Sequence, residues 1–261
     1  TALSSRGSRD LSAVGDGTLP NEIKPVAEAV NDVLSRLGRT LEAERSFTAN
    51  AAHELRTPVA AALAQTQRLM AETSDSIAAG RAAEIEVALK RLTRLSEKLM
   101  QLARAEGGRL RSDADSDLRS VLTMVLADFE RLAGPDGIHS TLPVDPVLSN
   151  LDPDAFAIVA RNLIENALRH GSGGAPVQVV LTSDTLVVVN DGPSVAQETL
   201  AGLTARFNRG QSVSDGSGLG LSIVQAIADG AQVTLKLHSP AQGQPDGFEA
   251  VFQLPGRAQI D

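Results

Sequence analysis

The sequence predicts an α+β protein in two parts. The first is a helical hairpin, two helices per chain, that pairs with a second copy as a dimeric antiparallel four-helix bundle. An α/β sandwich follows it. Three observations carry this. Apolar residues recur at intervals of three and four from Val26 to Leu102, the pair Gly107-Gly108 then stops that pattern, and β-branched runs alternate with helical segments beyond it.

The chain has 261 residues, enough for two domains, and 42 % hydrophobic residues support a core rather than disorder. Aromatics are only 2 %, so the core must be built from Leu, Val, Ile and Ala. A formal charge of −8 opposes general nucleic-acid binding, which needs basic clusters facing phosphates. Zero cysteines exclude disulfides, thiolate metal sites and Cys nucleophiles. No stretch approaches the roughly 20 apolar residues that span a bilayer. The chain begins with Thr1, and we expect an upstream part, able to carry a membrane anchor, to precede it.

Residues 1–20 are rich in Ser, Gly and Asp and are expected to lack order. From Asn21, the series Val26, Val30, Val33, Leu34, Leu37 and Leu41 has helical spacing, continuing through Phe47, Ala51 and Leu55. A stripe this long needs a partner helix. Thr73 to Ser76 and Gly80 mark a turn, and Ile85, Leu89, Leu92, Leu95, Leu99 and Leu102 line a second helix. Two antiparallel helices bury one seam only, hence the dimer.

The expected divisions are a linker and signalling helix over 1–46, a helical hairpin over 47–106, a polar linker over 107–116 and a second domain over 117–257. Within the last, 117–133 and 153–170 read as helices and 138–151 as two short strands around Pro143 and Pro146. Val177 to Leu181 and Leu186 to Val189 read as a buried hairpin. A helix over 219–229 and strands over 231–238 and 247–254 close the sandwich, with helices on one face of a mixed sheet.

Four motifs carry chemistry. The first is Phe47 to Pro58, F-T-A-N-A-A-H-E-L-R-T-P. A helical histidine alone is ordinarily solvated or structural. Here Glu54 is placed to take the Nδ1 proton and leave Nε2 of His53 as a neutral nucleophile. Thr57 lies one turn on, where its hydroxyl can orient a water. Pro58 removes a helical hydrogen bond and should bend the helix, at a cost of about 3 kcal/mol. H-E-L-R-T-P resembles the H-box of sensor histidine kinases. The resemblance implies that His53 is the phospho-acceptor, Glu54 the base and Thr57 the residue serving phosphatase activity.

The second motif is Asn162 to His170, N-L-I-E-N-A-L-R-H. Asn162 and Asn166 share a helix face and offer two neutral amide oxygens, as a hard cation carrying phosphates requires, while Arg169 adds positive charge. An isolated N-x-x-x-N is more often a solvated face. This one resembles the kinase N-box, with Asn166 holding Mg²⁺, Glu165 matching the pattern and His170 stacking on the nucleotide.

The third, Val189 to Pro193, resembles the adenine site D-x-G-x-G, with departures. Gly192 aligns, Asn190 stands where Asp is usual, and Ser194 stands for the later Gly. An Asn oxygen accepts a hydrogen bond from an adenine amino group without the charge. Charged acceptors make roughly twofold stronger bonds, so weakened ATP binding is expected, with Asp191 a second candidate acceptor.

The fourth is D-G-S-G-L-G-L from Asp215, which resembles the G2 box through Gly216, Gly218, Leu219 and Gly220, its backbone N–H groups serving phosphates. It lacks the β-α-β spacing of a Rossmann site and the Lys-Ser/Thr of a P-loop. Phe207 matches the preceding F-box, Arg206 and Arg209 are candidate lid contacts, and 193–217 would form an ATP lid. His139 and His238 match no motif and read as surface or strand-end residues.

Four boxes in this order imply an ATP-binding domain of the histidine kinase, gyrase and chaperone type. They also imply a homodimer using ATP and Mg²⁺, with a response-regulator receiver domain as partner, in the cytoplasmic portion of an inner-membrane sensor. A nucleotide-impaired, phosphatase-dominant or scaffold protein is the alternative suggested by Asn190. A clamp ATPase like those of type II topoisomerases leaves H-E-L-R-T-P unexplained.

Overall fold

The computed structural model describes residues 24–107, 110–134, 137–172, 175–208 and 217–256. Helix α1 (Lys24–Glu72) holds 49 residues, about 75 Å at 1.5 Å per residue, and contains Pro58. Helix α2 (Ser76–Gly107) returns against it. The turn differs from the sequence expectation. Asp75 Oδ1 accepts from Ile77 N at 2.8 Å and starts α2 at once, so Gly80 lies inside the helix rather than in the turn. A Cβ there would meet nothing within 4 Å.

Small and β-branched residues form the hairpin seam: Val59, Thr66, Ala82 and Ser96 are buried. Gln67 Nε2 donates across it to Glu86 Oε1 at 2.9 Å. Val26, Val30, Val33 and Leu37 lie exposed along the first part of α1.

The segment expected as a polar linker is a strand. Residues Arg111–Asp117 form β1, antiparallel to β3 (Leu148–Leu151), with an irregular register between Arg111 and Ser116. Its side chains (R-S-D-A-D-S-D) carry no strand signal, because pairing is made by the backbone. Helix α3 (Leu118–Ala133) follows, capped by Asp117, whose Oδ1 accepts from Arg119 N and Val147 N, each at 3.0 Å. Ser120 Oγ donates to Asp117 Oδ2 at 2.5 Å. Burial would raise the Asp117 carboxyl, but the bonds from Ser120, Val147 and Arg119 outweigh it and hold the group below the carboxylate range.

Five strands form the main sheet in the order β2-β4-β5-β7-β6: β2 (Ile138–Thr141), β4 (Val177–Leu181), β5 (Thr185–Asn190), β6 (Leu235–His238) and β7 (Phe248–Gln253). Only β2 and β4 run parallel, so the sheet is mixed. Its inner face presents Val177, Val179, Leu186, Val188, Ala250 and Phe252, all buried. Against these pack α4 (Pro153–His170), through Phe156, Val159, Leu163 and Ile164, and α6 (Gly220–Ala231), through Ile223, Val224 and Ile227. Each such side chain contributes about 1.5–3 kcal/mol on burial. The outer row Val180, Val187 and Val251 is half-buried, so β4 and β5 are covered fully on one face only.

Helix α6 runs to Ala231, two residues past its expected end, and Gln232 closes it in a left-handed conformation (φ 58°). The strand expected from 231 therefore starts at Leu235. A short helix, α5 (Gln197–Gly202), lies within the expected lid. Residues 209–216 fall outside the described residues, and with them Arg209 and Gly216. His139 is exposed on edge strand β2, while His238 ends β6 beside Gln242 (3.3 Å).

Candidate functional site

A cavity of about 1060 Å³ opens between α2, α4, the turn after β5 and the start of α6. Its size reaches the upper end of small-ligand sites, roughly 300–1,000 Å³. Helix α4 supplies one wall. Asp152 caps it through Ala155 N (2.9 Å), and its 3.6-residue repeat turns Phe156, Val159 and Leu163 toward the sheet. Asn162, Glu165, Asn166, Arg169 and His170 line the cavity.

Asn162 is 1 % exposed and tightly oriented. Its Nδ2 donates to Ile158 O at 2.7 Å and to Gln101 Oε1 at 3.2 Å, which aims Oδ1 toward the cavity side. That oxygen already holds a cation: Lys98 Nζ donates to it at 2.7 Å and to Glu165 Oε2 at 2.6 Å. Hard oxygen donors that accept an ammonium here have the chemistry a Mg²⁺–phosphate group requires. His170 is exposed on one side. Burial of the remainder, with the Arg169 charge, lowers its pKa below the ordinary histidine value.

Strand β5 delivers Asn190 to the opposite wall, where it is 3 % exposed. Its Nδ2 donates to Asp191 O at 2.9 Å, which leaves the amide oxygen as the acceptor end. Asp191 does not line the cavity, and its buried Oδ1 has no hydrogen-bond partner among the described residues. Gly192 passes so close to α4 that a Cβ would sit 2.8 Å from His170 O.

The Gly-rich run enters α6 through Gly218, Leu219 and Gly220. Gly218 has φ +68° and Leu219 is fully buried, anchoring the loop in the core. A Cβ on Gly220 would lie 3.4 Å from Asn162 Oδ1, so this glycine leaves room beside the cation-holding oxygen. Phe207 lines the cavity with φ 60° and 61 % exposure.

His53 lies on α1, while its side chain and that of Phe47 fall outside the described residues. Glu54, Thr57 and Pro58 follow on the same helix, all exposed.

Sequence reasoning missed the face that α2 turns to the cavity. Arg91, Arg94, Lys98 and Gln101 all line it. Arg206, within the lid segment, pairs with Glu106 of α2. The signal existed, since Arg91, Arg94 and Lys98 recur at helical spacing, but a basic stripe opposite a leucine stripe reads as a solvated face.

A helical hairpin bearing H-E-L-R-T-P, joined to an α/β sandwich with an Asn-lined cavity, defines a phospho-acceptor module coupled to an ATPase-type module. Comparison with known proteins agrees. Residues 43–108 match the His Kinase A (phospho-acceptor) domain, and residues 151–258 match the Histidine kinase-, DNA gyrase B-, and HSP90-like ATPase family. The chain belongs to the sensor histidine kinases of two-component systems.

It is 36 % identical over 241 residues to sensor protein QseC of Salmonella typhi, covering 90 % of this chain and 53 % of that protein. It is 31 % identical over 258 residues to sensor protein kinase PmrB of Pseudomonas aeruginosa, covering 96 % of this chain and 54 % of PmrB. The chain thus spans about half the length of these curated relatives. A crystal structure of full-length ShkA in complex with AMPPNP shares the fold, with TM-score 0.63 and 20 % identity over 83 % of this chain and 47 % of ShkA. No helix among the described residues is long and apolar enough to cross a membrane.

Proposed function

We propose that this chain transfers the γ-phosphate of ATP to His53 and then to an aspartate of a response-regulator receiver domain. The observation that carries the reading is the cavity wall of α4, where Asn162, Asn166 and Arg169 face Asn190 across a nucleotide-sized space. The presence of AMPPNP in ShkA, whose fold is shared, supports the same ligand class.

In the proposed step, His53 Nε2 attacks the γ-phosphorus in line. A P–N bond forms, the bond to the β,γ-bridging oxygen breaks, and ADP leaves with the electron pair. Glu54 accepts the Nδ1 proton. The receiver carboxylate then attacks the same phosphorus, the P–N bond breaks with its electron pair going to Nε2, and Glu54 returns the proton to Nδ1, restoring a neutral histidine. Asn166, with Asn162, would hold Mg²⁺, which supplies charge neutralisation for the phosphates when bound. Asn190 accepts from the adenine amino group, Gly218 and Gly220 bring backbone N–H groups to the phosphates, and Thr57 positions a water for dephosphorylation of the regulator.

The exposed series Val26, Val30, Val33 and Leu37, spaced four, three and four, supports the homodimer, because an apolar seam of that period fits a second copy. The described domain sequence supports a division near 107, with β1 moved into the catalytic domain. We place the chain on the cytoplasmic side of a bacterial inner membrane, a placement that its likeness to sensor proteins supports.

Incubation with γ-labelled ATP tests the reading. Wild type should label and His53→Gln should not; persistent labelling of the variant would sink it. Asn190 favours a second reading, a nucleotide-impaired and phosphatase-dominant sensor. Calorimetric titration with a non-hydrolysable ATP analogue separates them, since millimolar or absent binding supports the second.

A further inference from the structure

Lys98 belongs to the helical hairpin, yet its ammonium sits in the catalytic domain. The side chain is only 16 % exposed, and both of its recorded acceptors, Asn162 Oδ1 and Glu165 Oε2, lie on α4. A largely desolvated ammonium is costly unless paired, and here the pairing spans 64 and 67 residues of sequence. The contact is reinforced on either side. Gln101 accepts from the other end of the same Asn162 amide, and Glu106 pairs with Arg206 of the lid segment. One face of α2 therefore grips both the cation-binding oxygens of α4 and Arg206 of the lid segment.

We infer that Lys98 is an intramolecular counter-cation that competes with the metal–nucleotide complex for Asn162 and Glu165. The α2–catalytic contact is thus a latch that nucleotide loading must open. The physics is exclusion. An ammonium and a divalent cation cannot share the same oxygen lone pairs, and their like charges repel at contact distance. Releasing Lys98 frees α2 from α4, and without that release the catalytic domain cannot move along the hairpin toward His53. The inference rests on the kinase reading above and adds a regulatory role for a residue outside the four boxes.

The test uses the whole chain and a non-hydrolysable ATP analogue with and without Mg²⁺. Lys98→Met and Lys98→Gln should tighten binding of the Mg²⁺-loaded analogue at least tenfold and leave the metal-free analogue within about twofold. A second readout follows the contact between α2 and the lid segment directly. The chain has no native cysteine, so Glu106→Cys with Arg206→Cys gives one pair for a short bismaleimide cross-linker. Cross-linking should be efficient in the ligand-free protein, fall when the Mg²⁺-loaded analogue is added, and fall without ligand when Lys98→Met is included. Unchanged or weaker affinity in both Lys98 variants overturns the latch, as does cross-linking indifferent to the loaded analogue. If no form binds the analogue at any Mg²⁺ concentration, the kinase reading fails as well, a result distinct from wild-type binding that Lys98 does not affect.

Discussion

Phe207 N donates to Gly218 O at 3.1 Å, so the lid segment is tied back to the glycine just beyond its end at one peptide contact. A Cβ on Gly218 would lie 2.9 Å from the Phe207 carbonyl carbon, and Gly218 already has φ +68°. Gly218→Ala combines left-handed strain with a backbone clash, together about 1–3 kcal/mol. We expect at least a tenfold loss of ATP-analogue affinity by calorimetry. Gly220→Ala, which meets only the Asn162 oxygen at 3.4 Å, should lose no more than a few-fold.

Asn190→Asp should separate affinity from stability. A charged acceptor would strengthen the proposed adenine bond by about 1 kcal/mol, or several-fold in Kd. The carboxylate also loses the amide donor to Asp191 O and is desolvated at a site 3 % exposed. Thermal unfolding without ligand should therefore show a loss of about 1–3 kcal/mol. Tighter binding in a less stable protein is the expected pair of results.

Asp117 joins the start of α3 to Val147, just before β3, so Asp117→Ala should destabilise by about 1–2 kcal/mol in urea unfolding. Its pKa is depressed in the folded protein. The charge-dependent part of that stability is present above the ordinary aspartate value, about 3.9, and is lost as pH falls through the lower folded value. Asp117→Asn should therefore lose less stability than wild type on acidification through this window.

For His170 the slope has the same sign, but the form that burial favours is the neutral one and the window lies higher. Its lowered pKa means that the folded protein binds fewer protons than the unfolded chain just below the ordinary histidine value of 6.5. Stability should rise with pH from the folded pKa to about 6.5 and then level. His170→Gln should flatten this slope, as read from urea midpoints between about pH 5 and 8.

The helical hairpin and most of the sheet were legible because their signals are local. Leucines at three and four residues mark α2, and a dominance of β-branched valines marks β4 and β5. Strand β1 was not, because R-S-D-A-D-S-D pairs through its backbone, where side-chain pattern says nothing. Gly80 misled for a similar reason: Asp75 ended the turn before the glycine was needed.

By itself the sequence determined the order of the two modules, the H-E-L-R-T-P helix and the residue types of the nucleotide boxes. These depend on spacings within one or two helical turns. Only the tertiary structure decided that Asn190 rather than Asp191 lines the cavity and that Asn162 turns its oxygen toward a lysine of the other module. The reason is distance along the chain. Periodicity records which face a residue occupies, whereas the partner of Lys98 lies 64 residues away and is chosen by how two folded surfaces meet.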